Sequence, residues 1–350
     1  MSEKNKIILL TGATGAVGPL VVKAFHDAGY SIRTLSIDPP PAGIWPDDVE
    51  ARVGDVTDVS EVWAATVGVD AIVHMAALLH IVNPPPEMRE KYVRVNVGGT
   101  EAVVDAAVKA GVQRVVLFST IAVYGASGGR VLNEMSPTCP DTFYGQTKLD
   151  AEQVVLKARR ADGAPLGTVL RFGAIYGSRI KGNYERLTHA LAGNLGTRSR
   201  FLGKLGHVPH FPFIPVGDGL NRRTLIYDKD VGRAVVQVVS HPAAAGRLYN
   251  VTDGGFFSMN EIIEAICLAL GRKPPLFSLP AGPMRMVAGL IEKGAGFFGK
   301  KAPITRETVD KYTEDIAVDG SLFQKEIGFV PQFDLKAGWV DAVKEMRREK

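Results

Sequence analysis

The chain is poor in cysteine. Its 2 cysteines among 350 residues, Cys139 and Cys267, lie far apart and show no metal-ligand spacing. That excludes a disulfide framework and fits a reducing, cytoplasmic setting. No block of like charge occurs and the net charge is only +4, so no nucleic-acid arm is expected. Long apolar runs are also missing. None reaches the roughly 20 residues of a membrane span, and Met-Ser-Glu-Lys-Asn-Lys leads into a short strand with no signal-like stretch. Metal-ligand clusters are lacking too. His207 and His210 stand in a Pro-, Gly- and Phe-rich loop without an acidic or cysteine partner, so no metal is expected. What is there is ordinary globular material, 46% hydrophobic and 22% charged. The length allows two domains, or one large domain with a lobe.

Short apolar runs alternate with helix-like stretches. Ile7–Leu10, Ser31–Ile37, Ala71–His74, Val115–Ser119 and Thr168–Arg171 read as strands. Pro19–Ala28 and Val97–Lys109 read as helices, ended by Gly29 and Gly111. Alternation of this kind predicts an α/β fold with a doubly wound parallel sheet. Beyond Gly177, Thr224–Ile226 and Leu248–Val251 are further strands, and Asp230–Ser240 and Met259–Leu270 further helices. The chain is expected to return to the sheet there, leaving Leu276–Lys350 as most of a smaller lobe. Met284–Lys301 mixes large apolar residues with Arg285, Lys293, Lys300 and Lys301. A core-facing helix is the favoured reading; contact with a membrane surface is the other.

Gly12, Gly15 and Gly18 follow a strand and open a helix. Glycines in that context permit a tight turn and close approach of a pyrophosphate to the helix N-terminus. The turn, including Thr14, Ala16 and Val17, is therefore a candidate dinucleotide site. A ribose-binding acid is expected at the end of the second strand. Ser36 occupies that place, Asp38 lies two residues on, and no arginine follows. This favours NAD over NADP. Asp55 and Val56, after Gly54, are candidate adenine contacts.

Tyr144 and Lys148 form a Tyr-x-x-x-Lys pair downstream of Ser119-Thr120-Ile121-Ala122-Val123-Tyr124-Gly125. Residues four apart share a helix face. Lys148 is expected to lower the Tyr144 pKa and make the phenol a proton acceptor.

Together these motifs resemble the extended short-chain dehydrogenase/reductases, in particular the NAD-dependent nucleotide-sugar epimerase/dehydratase group. The resemblance runs through Thr11–Gly18, Asp55-Val56, Asp70–Ala77, Asn96–Thr100, Ser119–Gly125, Tyr144–Lys148 and Arg171–Gly177. It implies a Rossmann-type NAD domain over 1–177 and a substrate lobe over 178–223 and 252–350. It adds Met75, Ala76, Ala77, Asn96, Ser119 and Phe172 to the cofactor contacts, and Lys148 as a partner of the nicotinamide ribose. Catalysis would fall to Tyr144, Lys148 and Thr120.

A closer resemblance, over Ile180–Tyr184 and Asn221–Tyr227, is to 4-epimerases and 4-keto reductases of UDP-hexoses or UDP-N-acetylhexosamines. It implies that Arg223 meets the UDP pyrophosphate; Arg222 or Arg223 could otherwise be a solvated strand start. Asn183 would touch the nucleotide-sugar or cap a helix. A homodimer through Val97–Ala110 and Gln146–Arg159 is implied as well. Ala174 replaces a frequent asparagine, and the chain looks longer than such relatives between Leu195 and Gly217. Ile121-Ala122 replaces the Asp-Glu pair of the dehydratases. The alternatives are a 4-keto reductase, a 3β-hydroxysteroid or dihydroflavonol-type dehydrogenase, and a non-catalytic NAD-binding scaffold.

Overall fold

The computed structural model describes residues 6–79, 85–193, 213–297, 302 and 304–348. The strands are β1 Ile7–Thr11, β2 Ser31–Ser36, β3 Glu50–Val53, β4 Ala71–His74, β5 Arg114–Thr120, β6 Val131–Leu132, β7 Gly167–Phe172, β8 Ala174–Tyr176, β9 Arg222–Tyr227, β10 Leu248–Val251, β11 Phe256–Ser258 and β12 Ala317–Val318. The α-helices are α1 Gly18–Asp27, α2 Val59–Thr66, α3 Glu87–Tyr92, α4 Gly99–Ala110, α5 Phe143–Lys157, α6 Asn183–Leu191, α7 Asp228–Val239, α8 Met259–Leu270, α9 Ala281–Phe297, α10 Arg306–Thr313, α11 Ser321–Ile327 and α12 Leu335–Arg348.

Seven strands make one sheet in the order β10-β7-β5-β4-β1-β2-β3, and every neighbouring pair is parallel. Continuous apolar strands such as Val115–Phe118 are buried on both faces because helices cover both. Val21, Val22 and Phe25 of α1 join Val231, Val235 and Val238 of α7 on one side. On the other side lie Val62 of α2, Val103 of α4, and Ala151 and Val155 of α5. The strand order reverses between β1 and β4, which opens a crevice beyond their carboxyl ends. Ligands of doubly wound sheets bind at such a switch point.

The expected return to the sheet is made by β10 alone. β9 pairs instead with β8 and β11 in a separate three-stranded sheet. That sheet shares a core with α6, α8 and α12, where Tyr176 stacks on Trp339 at 4.7 Å. The helix expected from Val97 begins earlier: α3 runs through a π-helical segment, Val93–Gly98, into α4. Such segments accompany functional sites, and this one carries Asn96. His207, His210 and most of the stretch from Leu195 to Gly217 lie outside the described residues.

Candidate active site

The glycine-rich turn lies over the switch-point crevice. Gly12 has φ 72°, and a Cβ there would sit 2.7 Å from the Ala76 Cα. Only glycine lets the turn after β1 pass so close to the chain after β4. A Cβ on Gly18 would sit 2.0 Å from the Ala13 carbonyl oxygen, so α1 starts hard against the turn. No side chain caps α1 and no acid lies in its first turn. Its N-terminus is therefore available to an anion, and Gly15, which is exposed, leaves room for one. Gly12→Ala is expected to weaken dinucleotide binding at least tenfold, roughly, because it adds both a clash and a left-handed φ; titration with NAD measures it.

Ser36 ends β2, and its hydroxyl accepts the Thr14 amide at 3.3 Å. The position expected of the ribose acid thus braces the turn, and Asp38 lies exposed beyond it. Asp55 closes its own turn by accepting the Thr57 amide at 2.9 Å, and Val56 is buried in the core. A directional chain fixes the loop after β4. The Ala76 amide donates to the Thr11 hydroxyl at 3.3 Å, which meets His74 Nδ1 at 2.7 Å. His74 Nε2 meets the Thr100 hydroxyl at 3.1 Å, and that hydroxyl donates to the Asn96 carbonyl at 2.6 Å. His74 serves here as a neutral ring, held so by burial and by Lys148, which bring its pKa down to about 3.

Asn96 is buried. Its amide holds the Leu78 backbone at 2.7 and 3.3 Å and donates to the Thr147 hydroxyl at 3.1 Å. It ties the loop after β4 to α5. Phe172 packs on Phe118 at 4.6 Å inside the core, so its backbone, not its ring, faces the sheet's end. Met75 and Ala77 lie half-buried on the loop beyond β4.

Thr120 ends β5 half-buried. Its oxygen accepts the Ala122 amide at 3.2 Å and caps a short 3-10 turn over Ile121–Tyr124. The hydroxyl proton stays available to a ligand oxygen. Thr142 caps α5 by accepting the Gly145 amide at 3.1 Å, which sets Tyr144 in the first turn. A Cβ on Gly145 would lie 2.9 Å from the Ala122 carbonyl oxygen. Glycine there lets the Tyr144 helix close on the Thr120 turn. Ala is normally the better helix residue, by about 1 kcal/mol. Gly145→Ala is nonetheless expected to lower kcat by roughly tenfold to a hundredfold, because catalytic groups tolerate little displacement. The check is kcat beside the melting temperature.

Tyr144, Lys148 and Glu152 follow each other at four-residue spacing on α5. Glu152 is fully buried and grips Arg171 of β7 through Arg171 Nε at 2.9 Å and Nη2 at 2.6 Å. It also accepts the Ser119 hydroxyl, and Ser119 and Arg171 are register partners on β5 and β7. The Arg171 guanidinium lies over the Tyr124 ring at 4.7 Å. This buried network was missed in the sequence, although Glu152 follows Lys148 at the same spacing by which Lys148 follows Tyr144.

Burial brings Lys148 down to about 8, with Glu152 acting in the opposite direction. The expectation for Tyr144 is corrected. Burial and neighbouring Tyr92 push its phenol up to about 12, because the ring sits among protein atoms and desolvation outweighs any help from Lys148. Buried Lys148 also weakens the fold. Between pH about 8 and its ordinary pKa near 10.5 the unfolded chain keeps a proton that the folded chain has shed, so stability rises with pH there. Lys148→Met is expected to stabilise the protein at pH 7 by roughly 3 kcal/mol while impairing dinucleotide binding and turnover. A denaturant titration at pH 7 checks the gain.

On the lobe side the two adjacent arginines part. Arg222 is held by Asp315, with Nε at 3.1 Å and Nη2 at 2.7 Å, and Asp315 is lowered to about 2, chiefly by that contact. Arg223 donates Nη2 to the carbonyls of Lys311 and Tyr312. Its buried Nε and the buried Tyr312 hydroxyl have no hydrogen-bond partner among the described residues. These donors suit phosphate oxygens. Lys311 also pairs with Asp141, three residues before Tyr144, so Arg223 is linked to the α5 N-terminus through one residue. Asn183 is the exposed first residue of α6, whose cap position is Gly182. It does not cap the helix.

Residues 8–252 match the model of the NAD dependent epimerase/dehydratase family. The chain is 28% identical over 336 residues to N-acetyl-alpha-D-glucosaminyl-diphospho-ditrans,octacis-undecaprenol 4-epimerase of Escherichia coli, covering 95% of this chain and 93% of that one. It is 26% identical to a 3 beta-hydroxysteroid dehydrogenase/Delta 5-4-isomerase of Mycobacterium tuberculosis, covering 93% and 86%. It is 25% identical to UDP-glucose 4-epimerase of Vibrio cholerae, covering 95% and 93%. The solved structure of MoeE5 in complex with UDP-glucose and NAD has the same fold, with TM-score 0.72, 24% identity and 98% and 99% coverage. The match spans the glycine-rich turn, Thr120, Tyr144, Lys148 and Arg223, and the chain belongs to the NAD dependent epimerase/dehydratase family.

Proposed function

We propose that this protein is an NAD-dependent 4-epimerase of a hexose or N-acetylhexosamine carried on a diphosphate, with UDP as the carrier. The observation that carries this reading is Arg223: its buried Nε has no hydrogen-bond partner among the described residues, and its Nη2 bonds the carbonyl of Lys311, whose own side chain pairs with Asp141 just before the Tyr144 helix. Tyr-x-x-x-Lys chemistry serves many alcohols. A guanidinium that keeps an unused donor favours a phosphorylated one.

The glycine turn, the helix α1 N-terminus and Lys148 would hold the dinucleotide. When bound, it takes and returns a hydride, which no side chain can do. Tyr144 accepts the proton of the sugar 4-hydroxyl as that carbon is oxidised and gives it back on reduction. The Thr120 hydroxyl donates to the same oxygen and supports its carbonyl character. Lys148 supplies positive charge below Tyr144. Arg223 keeps the diphosphate anchored while the 4-keto sugar presents its other face.

The test is direct. The purified protein is denatured and the released dinucleotide identified. The native protein is then given UDP-glucose, UDP-N-acetylglucosamine and UDP-glucuronic acid, and the 4-epimers are assayed. Epimerisation with retained cofactor supports the reading. Absence of any epimer, together with NADH formation from a 3β-hydroxysteroid, overturns it. Arg223→Leu is expected to raise KM by about tenfold to a hundredfold, the loss of a charge-assisted contact, without releasing the dinucleotide.

One observation favours a second carrier. Helix α9 packs on α10, which bears the carbonyls that hold Arg223, and α9 turns an apolar face outward. The Escherichia coli relative acts on a sugar carried by undecaprenyl diphosphate, and Arg223 would meet a diphosphate in either case. The same assay with a polyprenyl-diphosphate sugar separates the two carriers.

A further inference from the structure

Helix α9 is built inside out. Its small residues face the protein: Ala288 and Gly289 are buried, and the Arg306 side chain of α10 packs 3.1 Å from where a Gly289 Cβ would be. Its large apolar residues face away. Met286 is 74% exposed, Val287 45%, Leu290 70% and Ile291 38%. Leu276 and Phe277, just before the helix, are 96% and 64% exposed and line an apolar hollow with Phe213 and Ile214. This reverses the core-facing orientation that the sequence favoured. Exposed leucines scattered singly need no explanation, but a contiguous apolar stripe along one helix does.

The charges around the stripe are mostly positive. From Arg272 to Phe297 the chain carries Arg272, Lys273, Arg285 and Lys293 against Glu292 alone. Glu292 pairs with Arg306, and Arg285 pairs with Asp310. The patch with these partners therefore keeps a net positive charge. Two copies meeting through this face would bring like charges together. An anionic surface would meet opposite charge.

We propose that α9, with Leu276 and Phe277, is a peripheral docking surface for an anionic phospholipid bilayer. The helix lies in the plane of the interface, its apolar stripe among the acyl boundary and its basic residues at the headgroups. Its 17 residues are too few and too interrupted by charge to cross the bilayer, and no described helix of the chain is long and apolar enough to do so. Docking places the lobe that carries Arg223 at the membrane surface. The idea does not depend on which sugar is turned over, since binding to lipid is read without any substrate.

The experiment is co-sedimentation of the full-length protein with vesicles. One set is pure phosphatidylcholine, and the other is phosphatidylcholine mixed with phosphatidylglycerol. The protein is expected to bind the mixed vesicles at least tenfold more than the neutral ones, roughly, and to release as salt rises. Met286→Glu with Leu290→Glu is expected to lower that binding by about tenfold or more. Lys293→Glu is expected to lower it by about fivefold. All three positions are exposed, so circular dichroism and turnover of a water-soluble substrate should match the parent protein. No binding to the anionic vesicles, or equal binding by parent and double variant, overturns the proposal. It is overturned equally if the parent is a dimer that the double variant converts to monomer while vesicles capture neither form.

Discussion

Tyr144→Phe is expected to lower turnover by a factor of roughly a hundred to ten thousand while leaving the fold and the bound dinucleotide in place. The prediction is sharp because the substitution removes one oxygen from a ring that stays in its pocket. Thr142 still caps α5, and Gly145 still lets the helix close on the Thr120 turn. Stability should change by no more than about 1 kcal/mol, the worth of one hydrogen bond. The measurement is a full rate comparison beside a thermal melt. A variant that turns over at the parental rate would remove Tyr144 from the mechanism. The high phenol pKa, about 12 in the protein by itself, also says which role needs help. At neutral pH Tyr144 rests protonated, and in the proposed reaction that form would donate to a keto oxygen. To accept a proton it needs positive charge nearby, and in the proposed reaction Lys148, four residues on along α5, would give it.

Glu152→Ala should strongly destabilise the fold. It leaves the Arg171 guanidinium, with side-chain exposure of 5%, without its counter-charge. Removing one member of a buried pair costs about 3–5 kcal/mol, a large share of a typical total of roughly 5–15 kcal/mol. Denaturant titration of Glu152→Ala measures it. The double variant Glu152→Met, Arg171→Leu should recover most of the loss, since no buried charge remains unpaired. It should not recover function fully. Glu152 helps hold Lys148 protonated, so without it Lys148 loses its ammonium at a lower pH than about 8. The alkaline limb of dinucleotide binding should then move down in pH, both in Glu152→Gln and in the double variant. An unchanged limb would show that Glu152 has a purely structural part.

Several elements could be read with no coordinates. The strand Ala71–His74 and the helix Met259–Leu270 match their observed bounds, the strand because it is a short continuous apolar run and the helix because its apolar periodicity and its cap residues agree. The glycine-rich turn was legible because a strand, three glycines and a helix in sequence leave few other conformations. Tyr144 and Lys148 were legible through helical spacing. Other features were not. The separate sheet of β8, β9 and β11 could not be seen, since β9 reads locally like any buried strand. Glu152 and Arg171 lie 19 residues apart and meet only because α5 packs across β7. The outward face of α9 was misjudged because amphipathic spacing shows that a helix has two faces, not which one the protein covers.

By itself the sequence determined the class of the sheet and the place of the glycine-rich turn, and it named the candidate reacting groups. Those depend on short-range chemistry: glycine torsions, periodicity and spacing along one helix. The tertiary structure alone decided which arginine has donors to offer, what Ser119, Asn96 and His74 are bonded to, and how Lys148 and Tyr144 titrate. Each of these depends on groups far apart in the chain, on the water that folding excludes from around them, and on charges brought within a few ångströms by strand order.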